Sequence, residues 1–93
     1  MKTDVVSQTS EHIKAIIDKN IARAKEDCIK FRLENREDEC EPPKLKLKLH
    51  IIHKEGQSSQ IVSSCLSPDE IGKIQEIISQ YCDMRKAQYR ATR

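Results

Sequence analysis

The sequence is poor in aromatic residues and in glycine, and these shortages exclude several kinds of protein. Its 93 residues include no Trp, one Phe, two Tyr and two Gly. Because Gly56 and Gly72 stand far apart, the chain has no glycine-rich phosphate loop and no dinucleotide-binding motif. No stretch approaches the ~18 apolar residues that a membrane-spanning helix needs. The length allows one small domain and excludes a large enzyme built around a deep cleft.

Charged residues, by contrast, are abundant and unevenly placed. They make up 34% of the chain, and the formal net charge is +2. Residues 1–43 hold eight basic and ten acidic side chains, whereas residues 44–93 hold nine basic and five acidic ones. The second half is therefore basic, although less so than a dedicated DNA-binding domain.

The N-terminal residues and the cysteines together predict a cytoplasmic protein with free thiols. Residues 1–9 contain no apolar run of the length that a signal peptide requires. Disulfides are rare in a reducing compartment, so the cysteines are expected to be thiols in the core or on the surface. A disulfide, a metal site or a redox role is the alternative. The four cysteines are Cys28, Cys40, Cys65 and Cys82.

Apolar spacing predicts a long first helix. Residues 1–9 are polar, and we expect them to be frayed. From about Ser10 onwards apolar residues recur at steps of three or four, which predicts one helix of about 25 residues. Residues 34–43 are rich in acids and end in two prolines, so they are expected to form an acidic linker. The apolar positions of this helical seam are Ile13, Ile17, Ile21, Ala24, Cys28 and Phe31.

A β-hairpin and a second helix are predicted after the linker. Residues 44–53 alternate Leu or Ile with Lys or His, the period of a half-buried strand. Gly56 supplies a turn, and residues 60–66 form a weaker second strand. Ser67 is then the N-cap of a helix, with Pro68 in its first turn and Glu70 completing a capping box. We expect this helix to end near Gln88, within a basic tail over residues 85–93.

The fold class expected from these elements is α+β, with the order α-β-β-α in a single domain over residues 1–93. A lone hairpin is marginal in water, and a long helix cannot be covered by so small a sheet. We therefore expect a homodimer, formed either edge to edge by two hairpins or along the helical seam. The alternative is a compact monomer. The seam residues proposed for the interface are Ile17, Ile21, Ala24, Cys28 and Phe31.

The best candidate binding surface is a lysine stripe, defined as Lys44, Lys46, Lys48 and His50 on the first predicted strand. Ammonium groups at every second strand position suit the phosphates of a nucleic acid. The basic tail adds Arg85, Lys86 and Arg90. The alternative is that lysines on a wet sheet face only prevent aggregation.

The sequence favours a non-enzymatic protein, and we assign no catalytic residue, no cofactor and no metal site. A zinc site from Cys40, His50, His53 and Cys65 is a minor alternative, because structural zinc prefers closely spaced ligand pairs. The leading hypothesis is a small regulator, inhibitor or adaptor, of the type that phages and mobile elements produce, which binds and occludes another protein. The alternative hypothesis is a nucleic-acid-binding protein that uses the lysine stripe and the basic tail.

Overall fold

Two helices and one antiparallel sheet of three strands make up the described part of the chain, which is α+β as predicted. The computed structural model describes residues 4–21 and 29–91. The sheet has the order β1-β2-β3, so every strand pairs with its neighbour in sequence. The elements are α1 (Val5–Ile21), β1 (Lys30–Arg36), β2 (Lys46–His53), β3 (Gly56–Ile61) and α2 (Pro68–Ala91).

Helix α1 begins earlier than the sequence predicted, because Asp4 caps it. The Val6 N–H donates to the Asp4 carboxylate at 3.1 Å, and the Gln8 N–H donates to the Asp4 carbonyl at 2.9 Å. An aspartate in this place satisfies a backbone donor that the first helical turn leaves without a partner. Residues 5–9 are therefore helical rather than frayed, and residues 1–3 of the segment expected to be frayed lie outside the described part of the chain.

The prediction of one helix through residue 34 was also wrong, since residues 30–36 form β1. Residues 22–28 lie outside the described part of the chain. In β1 the apolar side chains of Phe31 and Leu33 alternate with charged ones, and each pairs with an apolar residue of β2. Phe31 lies opposite Ile51, and Leu33 lies opposite Leu49. This cross-strand pairing is an interaction that a helix could not offer.

The predicted hairpin is present, although its first strand begins at Lys46 rather than Lys44 and its second strand has different bounds. Alternation in β2 is confirmed, since Leu47, Leu49 and Ile51 are all buried. Gly56 begins β3 with a φ of 155°, a backbone conformation that favours glycine. The second strand is residues 56–61 rather than 60–66. After β3 the Val62 N–H still donates to the Leu47 carbonyl at 2.9 Å, and Leu66 forms an isolated bridge with Leu45, the residue before β2.

The predicted capping box at the start of α2 is confirmed. The Ser67 N–H donates to the Glu70 carboxylate at 3.0 Å, and the Glu70 N–H donates to the Ser67 hydroxyl at 3.3 Å. Pro68 is the first helical residue, where its missing N–H leaves no bond unmade. Hydrogen bonding of the Glu70 carboxyl to Ser67, to its backbone N–H first and then to its side chain, lowers the pKa of Glu70. The helix continues to Ala91, beyond the expected end at Gln88.

The hydrophobic core lies between the two helices and one face of the sheet. Both helices contribute isoleucines to it, and β2 contributes its central apolar residues. The other face of the sheet carries none of these core residues. The core side chains that are least exposed are Ile13, Ile17, Leu47, Leu49, Leu66 and Ile74.

A disulfide joins Cys40 to Cys65, so the expectation of four free thiols was wrong for these two residues. It links the turn after β1 to the segment before α2. Cys82 is a free, half-buried thiol, and burial raises its pKa. Cys28 lies outside the described residues. The cysteine spacing did not reveal this pairing, because spacing alone does not define connectivity.

Candidate polyanion-binding face

The candidate functional site is the open face of the sheet, which we define as the face opposite the two helices. Residues directly opposite each other in an antiparallel pair share a face, so the strand register defines its members. From β1 these are Lys30, Arg32, Glu34 and Arg36; from β2 Lys46, Lys48, His50 and Ile52; from β3 Gln57, Ser59 and Ile61.

Positive charge dominates the open face. The two strands β1 and β2 place five basic side chains there against a single carboxylate, that of Glu34. Basic residues at alternate positions of one strand lie about 6.6 Å apart, and adjacent strands lie about 4.8 Å apart. The face therefore presents a two-dimensional array of cations.

Acidic residues of the turn after β1 neutralise one end of this array. Asp38 forms an ion pair with Arg36, and Glu39 forms one with Lys46 at 3.0 Å. Within the described residues, Lys30, Arg32 and Lys48 form no such pair. The cations at the other end and in the middle of the face are consequently the ones free to meet a ligand.

His50 lies at the centre of the open face and connects all three strands. Its Nε2 contacts the Glu34 carboxylate on β1 at 3.0 Å, and its Nδ1 contacts the Ser59 hydroxyl on β3 at 2.7 Å. Only 5% of the residue is exposed. Hydrogen bonds from Arg36 first, and then from His50, lower the pKa of the Glu34 carboxyl. The His50 ring is thus engaged within the sheet, although the sequence placed it in the binding stripe.

Ser59, His50 and Glu34 form a hydrogen-bonded series of hydroxyl, imidazole and carboxylate, which are the three groups of a hydrolase triad. An activated serine also requires donors aimed at the oxyanion of its substrate. Here the Gln57 side-chain amide contacts both His50 Nδ1, at 3.2 Å, and the Ser59 hydroxyl, at 3.3 Å. Apart from the Gln57–Ser59 bond within β3, these hydrogen bonds join neighbouring strands. We interpret the series as a cross-strand link that stiffens the open face.

The predicted binding residues do not all meet at this face. Lys46 and Lys48 lie on it, and Lys44 is an exposed residue just before β2. Arg85 lies instead in α2, where it forms an ion pair with Asp18 of α1 at 3.1 Å. The other two tail residues of the prediction, Lys86 and Arg90, also belong to α2. The stripe and the tail are therefore on different layers of the fold.

The proposed dimer seam is not a single helical face in this structure. Ile17 is completely buried within its own chain, and Ile21 is the last residue of α1. Phe31 lies on β1 and packs against the core. Ala24 and Cys28 lie outside the described residues. Dimerisation itself is untested, and it stays a prediction.

Three of the four residues proposed as zinc ligands are bonded to other groups in this fold. Cys40 and Cys65 are bonded to each other, and His50 is held by Glu34 and Ser59. In the described ranges, no group of three or more His, Cys, Asp or Glu side chains is placed to hold a metal ion. The helices described here are also too short or too polar to cross a membrane.

Sequence reasoning missed three cations of the open face, namely Lys30, Arg32 and Arg36. It assigned this segment to a helix and a linker, and so it separated these residues from the lysine stripe. The signal that points to them is the alternation of Phe31 and Leu33 with charged neighbours. No protein-family model, curated protein or solved structure matches the chain. Function is therefore argued from the geometry of the face.

Proposed function

We propose that this protein is a non-enzymatic binding protein whose open face holds a polyanion, and that nucleic acid is the partner this face fits best. The observation that supports the proposal is the gathering of five basic side chains from β1 and β2 on one helix-free surface. Clustered lysines and arginines on one face are the electrostatic footprint of a nucleic-acid-binding protein.

The mode of binding follows from the residue types on the face. Among the described side chains, none of those on the open face is Phe, Tyr or Trp, and the His50 ring is buried, so base stacking contributes little. Lysine and arginine contacts to phosphates carry no sequence information by themselves. We therefore expect sequence-independent binding to the phosphate backbone, with a preference for duplex over single strands.

A salt titration tests this mode with a labelled DNA duplex and fluorescence anisotropy. If three to five cations contact phosphates, log Kd should change with log salt with a slope of about 2.7 to 4.5. Affinity should then fall roughly 40- to 500-fold between 50 and 200 mM salt. The absence of any binding at 50 mM salt would contradict the proposal.

Two variants locate the site, and a matched control accompanies them. Arg32→Gln and Lys48→Gln each remove one cation that has no acidic partner among the described residues, so each should lower the salt slope by about one. Lys73→Gln removes an exposed lysine from α2, on the helical layer, and should leave binding unchanged. Equal losses for all three variants would mean that net charge, and not the open face, governs binding.

The second candidate function is the regulator, inhibitor or adaptor that occludes another protein. Two large apolar side chains favour it, since Ile61 is 49% exposed and Met84 is 46% exposed. Apolar protein interfaces respond weakly to salt, so the same titration separates the two candidates. A phage or mobile-element origin stays a hypothesis that rests on size and composition alone.

Cytoplasmic location and homodimerisation are proposals separate from nucleic-acid binding. The disulfide bears on the first, because disulfides persist in oxidising compartments and are rare in reducing ones. Alkylation of thiols in cells quenched with acid, followed by mass spectrometry, reports whether Cys40 and Cys65 are bonded where the protein works. A dithiol there supports the cytoplasm, whereas a disulfide supports an oxidising compartment.

A further inference from the structure

The two edges of the sheet are protected very differently. Strand β1 has four charged residues in seven, and charged side chains are a common device that stops an edge from pairing with another chain. Strand β3, with the sequence GQSSQI, has no charge and no proline, and all six of its residues are exposed. Within the described residues, nothing pairs with the outer side of β3.

The backbone groups that β3 turns outward can be identified from its pairing with β2. The Val62 N–H donates to the Leu47 carbonyl at 2.9 Å, which marks these two residues as a hydrogen-bonded pair. Hydrogen-bonded and non-bonded pairs alternate along an antiparallel ladder. The N–H and C=O groups of Gln57, Ser59 and Ile61 therefore point away from β2 and towards solvent.

We propose that this edge binds the β3 strand of a second copy, antiparallel and about a twofold axis, so that two sheets join into one of six strands. The register that uses all the outward groups places Ser59 opposite Ser59 of the second copy. Gln57 then lies opposite Ile61 of the second copy, and Ile61 lies opposite Gln57 of the second copy. Three pairs exchange two hydrogen bonds each, and the exposed Ile61 side chain is partly covered.

A second copy matches this edge, because the outward backbone groups of Gln57, Ser59 and Ile61 are spaced symmetrically about Ser59, and charge does not oppose the pairing. The nearest strand with cations on each side is β2, and the two β2 strands would be three strand spacings apart, about 14 Å. This separation exceeds the Debye length of about 8 Å at physiological salt. The two basic faces can thus approach through β3 without strong repulsion.

The symmetry also decides where the two open faces lie. Directly opposite residues of an antiparallel pair share a face, and the twofold axis passes between the two copies of Ser59, perpendicular to the sheet. Both open faces consequently lie on the same side of the joined sheet, with all helices on the other side. This inference rests on the proposed function in one respect only: the dimer would present two cationic patches on the same side of the sheet to one polyanion, with an affinity well above that of a single face.

Light scattering without nucleic acid tests the pairing directly. The wild type should have twice the 10.8 kDa chain mass at micromolar concentration. Ser59→Pro removes an outward N–H and should give the chain mass alone, whereas Ser59→Ala loses the same hydroxyl, keeps the N–H and should stay dimeric. Ile61→Lys is a second variant at an exposed position that should also give a monomer, should the proline variant fail to fold.

The outcomes separate this inference from the proposed function. A wild-type monomer at 100 µM, or a dimer that survives both Ser59→Pro and Ile61→Lys, overturns the β3 pairing. If both proposals are right, folded monomeric Ser59→Pro still binds duplex DNA, at least tenfold more weakly than the wild type; Ile61→Lys is left out of this comparison because it adds a cation to the open face. If the wild type is a dimer that binds no DNA, the pairing stands and the proposed function falls.

Discussion

Removing the disulfide should cost this small domain a large part of its stability. Cys40 and Cys65 are 25 residues apart in sequence. In the chain-entropy account, a cross-link of this span stabilises the folded state by about 3.5 kcal/mol at 25 °C. For a domain of about 90 residues, that loss should lower Tm by roughly 14–28 °C. The variant that tests this is the double substitution Cys40→Ser and Cys65→Ser.

The contacts beside the disulfide explain why its loss should destabilise the whole domain. Leu66 follows Cys65 and exchanges two backbone hydrogen bonds with Leu45, at 2.9 and 2.7 Å. Its side chain is 2% exposed and belongs to the core. The cross-link and this bridge together fix the segment that leads from β3 into α2.

Urea denaturation followed by circular dichroism measures the effect. Reduction of the wild type should move its midpoint to that of the double variant, and reductant should not affect the double variant further. Cys82→Ser serves as the control, because Cys82 is a free thiol and its variant should keep the wild-type response to reductant. A double variant with the wild-type midpoint, in protein whose disulfide is proven by mass, would refute the chain-entropy reasoning.

Three further predictions concern single side chains. Ser67→Ala removes the acceptor of the capping box and should cost ~1 kcal/mol in urea denaturation; an unchanged midpoint would mean that α2 starts elsewhere. The pKa of Glu34 is lowered because Arg36 donates to its carboxylate. The ionised Glu34 therefore stabilises the folded state above the ordinary pKa of a glutamate, and this contribution is lost as the pH falls. Glu34→Gln should therefore flatten the loss of stability in acid below about pH 4.3, and an identical acid profile would contradict this. Tyr81 has a raised pKa because it donates to Asp18, so Asp18→Asn should make it ionise at lower pH in an absorbance titration.

Local sequence signals predicted the parts of the fold that local chemistry determines. The capping box at Ser67 and the alternation in β2 depend on neighbouring residues alone, and both are confirmed. Phe31 and Leu33 were ambiguous, because their spacing fits the end of a helical seam as well as a strand. Their pairing with Ile51 and Leu49 decides between the two, and that information lies about 20 residues further along the chain.

The candidate site was predicted only in part, for the same reason. Lys46 and Lys48 were identified from their own strand, whereas Arg32 reaches the open face only through the register of β1 with β2. Burial of His50 depends on partners from both neighbouring strands, which no local pattern specifies. The edge strand β3 was placed too late in the chain, because its polar residues do not alternate with apolar ones.

The strand order β1-β2-β3 has a consequence for how the chain folds. Each strand pairing closes a short loop, so the sheet forms from contacts of low sequence separation. Helix α1 is different, because Asp18 reaches its partner Tyr81 across 63 residues. Loops of that length close late and at a greater entropic cost. We therefore expect α1 to dock last, onto a sheet and an α2 that are already assembled, and to exchange its amide hydrogens sooner than β2 does.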